Sequence, residues 1–171
     1  MDRIEKILEI FWEGPFSKES LNSYATANPD AADVWKVYAI YDDHPLYGKD
    51  VLSYIGKAVK QPLQKRVNQH DWWERKIYVA SIWNFSSWQK SEDWDYDDAL
   101  TDDKSVSKVE ELLIFALTPA YNKRNKGSAK LSRDTRIFNT GSIGSLPVEV
   151  SGWYAIEGSP NPDEDEKEIV V

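Results

Sequence analysis

The 171-residue sequence predicts an α/β chain of the α+β kind: a small, mostly antiparallel sheet of three main strands flanked by helices. Three observations predict it. The stretch from Val37 to Ala58, VYAIYDDHPLYGKDVLSYIGKA, holds two Val/Ile/Tyr-rich segments around a polar interruption, the pattern of an antiparallel hairpin. Residues 76–85, KIYVASIWNF, form a further β-rich run without proline or glycine. Helix-like segments alternate with these strands: PLQKRVNQH after the hairpin, and a longer apolar-periodic stretch from about Lys104 to Leu117. The expected organisation is a helical extension over 1–33, a core over 34–126 and a C-terminal section over 127–171.

Taken in order, Ile4, Ile7, Leu8 and Phe11 follow helical spacing and predict an opening amphipathic helix, stopped at Gly14-Pro15. SKESLNSYATA predicts a second short helix capped by Ser17, and Asn28-Pro29-Asp30 signals a loop. The hairpin follows, with Asp42, Asp43, Pro45 and Gly48 in a long loop and Gly56 ending its second strand. Pro62 sits where a helix tolerates proline, in the first turn, and Arg66 and His70 share a face four residues apart. In the third strand Ile77, Val79 and Ser81 face one way and Tyr78, Ala80 and Ile82 the other, both sides being partly covered.

SSWQKSEDWDYDDALTDDKS is acidic and lacks the ligand spacing and glycine of an EF-hand loop, so it reads as a surface loop. The helix that follows, ended by Pro119, has Val106, Val109, Leu113 and Leu117 as its apolar stripe. Glu110 lies among these apolar neighbours, whereas Glu111 reads as the solvent-facing glutamate of the pair. A carboxylate on an apolar stripe costs free energy to bury unless it is paired or binds a cation, which makes Glu110 a metal-ligand candidate. An ion pair to Arg66 is the structural alternative. After Asn122 the chain is basic and Gly/Ser-rich, then LPVEVSGWYAIEG offers one or two short strands, and SPNPDEDEKEIVV reads as a disordered acidic tail.

These residues resemble the GIY-YIG nuclease family. The first half-motif appears as KVY with Tyr38, and the second is intact as Tyr54-Ile55-Gly56. LQKRVNQH resembles the family's arginine helix with Arg66 in the functional position, and VEELLIFALTPAYN its closing segment, matching Glu110, Pro119 and Asn122. The similarity covers about Trp35 to Lys126, and four ordered motifs are far more specific than one. Lys36 stands where the first motif has glycine. The resemblance implies a GIY-YIG-like fold and a metal-dependent endonuclease hydrolysing DNA phosphodiester bonds in repair, recombination or restriction. It implies one divalent ion, Mg²⁺ or Mn²⁺, on Glu110, Tyr38 as general base, Tyr54 orienting water or phosphate, and Arg66 stabilising the transition state. Lys57 and His70 would be supporting donors, with Asn122 completing the site.

Charge sets the expected partner. The net charge is −8, but from Lys57 to Lys76 six basic residues face two acidic ones, and from Lys123 to Arg136 six face one. Charges beyond about 8 Å are largely screened at physiological salt, so local fields decide the attraction to phosphate. Lys60, Lys65, Arg75, Lys123, Arg124 and Lys126 are therefore the expected strip for DNA, duplex or branched. No apolar run approaches a membrane span, and the first residues mix both charge signs, unlike a signal peptide, so no membrane partner and a cytoplasmic location are expected. The absence of cysteine excludes disulfides and thiolate metal sites.

The chemistry follows from residue types as well. Phosphodiester hydrolysis needs an activated water, a cation for the charge growing on phosphoryl oxygens, and help for the leaving oxygen. Arg66 offers a planar fork of donors suited to phosphate. A lone tyrosine titrates at about pH 10, so Tyr38 suits a base only beside Lys57 and a metal-bound water. The competing expectation is a GIY-YIG-fold binding module that has lost catalysis and engages a protein or nucleic-acid partner.

Overall fold

The computed structural model describes residues 6–70, 75–85, 98–124, 126 and 135–152. The described strands are β1 (Lys6–Phe16), β2 (Val37–His44), β3 (Gly48–Lys57), β4 (Lys76–Asn84), β5 (Thr135–Gly141) and β6 (Glu149–Ser151). The described helices are α1 (Lys18–Ala27), α2 (Pro29–Val34), α3 (Leu63–Asn68) and α4 (Asp103–Leu117). The strands form one six-stranded sheet in the order β3-β2-β4-β1-β5-β6. The expected three-stranded, mostly antiparallel sheet is thus overturned: the three expected strands are one half of a mixed sheet in which β1 runs parallel to β5.

The cause lies at both ends of the sequence. Residues 6–16 form a strand and not the expected helix, because Leu8, Ile10 and Trp12 alternate into the core at 1% exposure or less. The same stretch also satisfies helical spacing. Ladder partners decide between the two periods: β4 pairs antiparallel along one edge of β1, and β5 pairs parallel along the other with Leu8 opposite Ile137. Trp12 Nε1 donates to Asn139 Oδ1 at 2.9 Å, tying the two strands inside the core. Thr135–Gly141, expected to be irregular, is therefore a strand, while β6 falls in the segment read as one or two short strands.

Other elements match their local signals. Ser17 caps α1 with a reciprocal bond to Ser20, and Asp102 caps α4 by accepting from Ser105 N–H at 2.9 Å. The β2–β3 loop is shorter than expected, for Asp42 and Asp43 belong to β2 and the turn is Pro45–Tyr47. Pro62 precedes α3 as its N-cap. Lys36 sits comfortably in place of glycine: its N–H donates to Ala80 O, its carbonyl accepts from Ala58 N–H, and its side chain turns out to Asp33 O.

The two sheet faces bury different clusters. Leu8, Ile10, Val37, Ala39, Ile55 and Ile82 pack under Val106, Val109, Leu112 and Leu113 of α4. Tyr38, Ile40, Ile77 and Val79 pack with Leu21, Ala25, Trp35, Leu63 and Val67 from the segments around α1 to α3. A fully buried aliphatic side chain contributes about 1.5–3 kcal/mol, so each layer holds its helices firmly against the strands. The acidic segment over 86–97 and the tail over 153–171 lie outside the described residues, as does any reading placed on them. Among the described residues, no helix is long and apolar enough to cross a membrane.

Candidate active site

In the β2–β3 ladder Tyr38 stands opposite Gly56 and Ile40 opposite Tyr54. Side chains two apart share a face, so both tyrosines emerge on the same side as diagonal neighbours, with ring centroids 6.0 Å apart. Gly56 makes this possible. A Cβ there would lie 2.5 Å from Tyr38 Cζ and Oη and 2.7 Å from Tyr54 Cε1. The glycine of the second motif is therefore a requirement of ring packing.

α3 brings the next groups. Leu63 and Val67 anchor the helix in the cluster beneath Tyr38, and Arg66 and His70 follow on the side facing the tyrosines. His70 lies just past the helix end, where its N–H still bonds to Val67 O and Lys18 of α1 donates to its carbonyl. Its Nε2 is hydrogen-bonded to the Tyr38 hydroxyl at 2.7 Å, and its ring lies 5.2 Å from that of Tyr54. Arg66 Nη1 donates to Gln69 Oε1 at 3.0 Å, and Gln69 is held in turn by a reciprocal amide pair with Gln61.

α4 approaches from the other face and delivers Glu110 at the rim. Glu110 Oε2 lies 3.7 Å from Lys57 Nζ, so its ion-pair partner is Lys57 and not Arg66. Lys57 also meets Asp103 Oδ1 at 3.3 Å and donates to Ser107. Glu111, expected to face solvent, is half-buried with Oε2 unbonded, because the helix covers more of the sheet than its apolar stripe suggests.

Burial dominates the electrostatics. It pushes the Tyr38 hydroxyl well above its usual range, reinforced by Tyr54 and opposed by Arg66. Burial also raises the Glu110 carboxyl above its usual range, against the pull of Lys57 and Arg66. It lowers His70, with the charges of Arg66, Lys18 and Arg75 acting the same way, which keeps the imidazole neutral near pH 7.

Tyr38, Tyr54, Arg66, His70, Lys57 and Glu110 thus interact in one region. Asn122 does something else: its Oδ1 accepts from Ile55 N–H at 2.9 Å and its Nδ2 donates to Ile55 O at 2.8 Å. It clamps the edge strand between Tyr54 and Gly56. Asp103, Ser107 and Gln69 were not singled out from sequence, although the 103-107-110 spacing on one helix face carries the signal.

Of the expected phosphate-binding residues, Lys60, Lys65, Lys123 and Arg124 are exposed. Arg75 instead bonds Asp42 at 2.6 Å, half-buried, and Lys126 donates to Ala120 O at 3.3 Å. Among the described residues, no three His, Asp or Glu side chains group as a metal cage. One largely buried carboxylate fits a hydrated Mg²⁺ or Mn²⁺, ions often held by a single carboxylate and substrate oxygens. Comparison with protein-family models, curated proteins and solved structures finds no significant match to this chain.

Proposed function

We propose that the chain is a divalent-metal-dependent endonuclease of the GIY-YIG type, acting on DNA phosphodiester bonds. The observation that carries this reading is the hydrogen bond between the Tyr38 hydroxyl and His70 Nε2, flanked by Tyr54, Arg66 and Glu110. In this reading the Tyr38 hydroxyl passes its proton to His70 Nε2, and the phenolate then takes a proton from the attacking water. Tyr54 orients that water or the phosphate. Arg66, steadied by Gln69, meets the phosphoryl oxygens as their charge grows. Lys57, 3.7 Å away, favours the Glu110 carboxylate against the effect of burial. A divalent ion on Glu110 would supply positive charge for the phosphoryl and leaving oxygens.

One observation favours the second reading, a binding module without catalysis. Tyr38 is fully buried, and burial resists its ionisation. Incubating supercoiled plasmid with the protein, with Mg²⁺ and with chelator, separates the two. The nuclease reading expects Mg²⁺-dependent nicking that disappears in Glu110→Ala while DNA binding persists. Wild-type protein that binds plasmid and leaves it intact with both Mg²⁺ and Mn²⁺ overturns it in favour of the binding module.

A further inference from the structure

The tip of the β2–β3 hairpin presents large side chains to water. Leu46 is 85% exposed and Tyr47 69% exposed. His44 stacks on Tyr47 with centroids 4.5 Å apart and planes at 23°, and Tyr121 adds a third ring 5.4 Å from His44. The tip is held in shape. His44 Nδ1 accepts from the N–H groups of Leu46 at 3.1 Å and Tyr47 at 3.2 Å, and Asp43 Oδ1 accepts from Asp50 N–H at 3.0 Å. An ordered aromatic surface that stays this exposed among the described residues is a feature of binding sites.

Charge selects the occupant. The carboxylates beside the tip are engaged, Asp42 with Arg75 at 2.6 Å and Asp50 with Lys76 at 2.8 Å. Lys49, Lys123 and Arg124 are exposed and have no ion pair among the described residues. The chain at 120–122 runs beside β3, with Ala120 N–H on Leu52 O, Tyr121 N–H on Ser53 O, and Asn122 on Ile55. Lys123 and Arg124 therefore leave β3 at Ile55, one residue beyond Tyr54 as counted from the stacked rings. Rings followed by cations along one edge match a nucleic-acid strand with its bases unpaired, since bases stack on aromatics and phosphates meet the cations.

We propose that the hairpin tip is a stacking platform for unpaired bases, so that the favoured substrate carries a single-stranded segment beside the cleavage point. Six residues of strand separate His44 from Tyr38, which places that segment about 20 Å from the scissile phosphate at ~3.4 Å per residue. That distance rests on the nuclease reading; the platform does not.

The test is fluorescence anisotropy of a labelled oligothymidine and of a paired duplex of equal length, without divalent ion, using the full chain. Tyr47→Ala is expected to weaken the single strand about tenfold and leave the duplex unchanged, while Tyr47→Phe retains wild-type affinity. Unchanged single-strand affinity in Tyr47→Ala, or equal losses for both DNAs, overturns the proposal. Glu110→Ala measured alongside keeps single-strand binding, and a wild type that binds the single strand but fails to nick plasmid counts against the nuclease reading and not against the platform.

Discussion

Gly56 stands directly across the strand pair from Tyr38, and the tyrosine ring occupies the space that any side chain at 56 would need. Gly56→Ala puts a methyl against rings from both strands. We expect a loss of about 1–3 kcal/mol of stability, as for other overpacked cores, together with loss of plasmid nicking. Urea denaturation reads the first and the plasmid assay the second. Wild-type stability in this variant would mean that the rings move aside at no cost.

Asn122 acts as a strand clamp, satisfying both backbone groups of Ile55. Asn122→Ala should cost about 2 kcal/mol in urea denaturation, because buried donors and acceptors lose their partners. Asn122→Asp should be no better, since it sets an oxygen against the Ile55 carbonyl. A variant of full stability with reduced nicking would instead place Asn122 in the chemistry.

Glu110 has its folded-state pKa raised, so its contribution to stability is full below the ordinary carboxylate pKa of about 4.3. It is lost as pH rises through the folded value. At pH 7 without metal, Glu110→Gln should therefore melt at a slightly higher temperature than wild type. Mg²⁺ should raise the melting temperature of wild type and leave Glu110→Gln unmoved. Equal Mg²⁺ shifts in both proteins would exclude Glu110 as the ligand.

His70 shifts the other way. Its folded pKa lies below the ordinary value of about 6.5, so the neutral form persists into mild acid. The stability it contributes is present above that ordinary value and lost as pH falls through the folded one. Nicking should likewise fall only below about pH 6.5, on an acid limb that His70→Gln removes along with most of the rate. An acid limb preserved in His70→Gln assigns it to another group.

Lys60, Lys65, Lys123 and Arg124 are exposed, whereas Arg75 is bound to Asp42. If each exposed cation meets one phosphate, duplex affinity should fall with a log–log salt slope of about −4, and each single alanine substitution should reduce that slope by about 1. Arg75→Ala should lower stability and leave the slope alone. A flat salt dependence of the wild type would remove these residues from the DNA face.

The sequence by itself determined what local spacing can encode. The hairpin of Tyr38 and Tyr54, the Ser17-capped α1 and the helix bearing Glu110 follow from alternation, caps and periodicity within about fifteen residues. The pairing of Tyr38 and Tyr54 on one face was legible for the same reason, since a two-residue period fixes side-chain direction once the strands are paired. Only the tertiary structure decided that Lys6–Phe16 is a strand, because its hydrophobic residues satisfy two periods and its parallel partner lies far along the chain in Thr135–Gly141. It also decided that Lys57 holds Glu110 and that Asn122 grips Ile55. Those pairings depend on which elements meet across the sheet edge, a question of long-range packing that residue spacing along the chain does not answer.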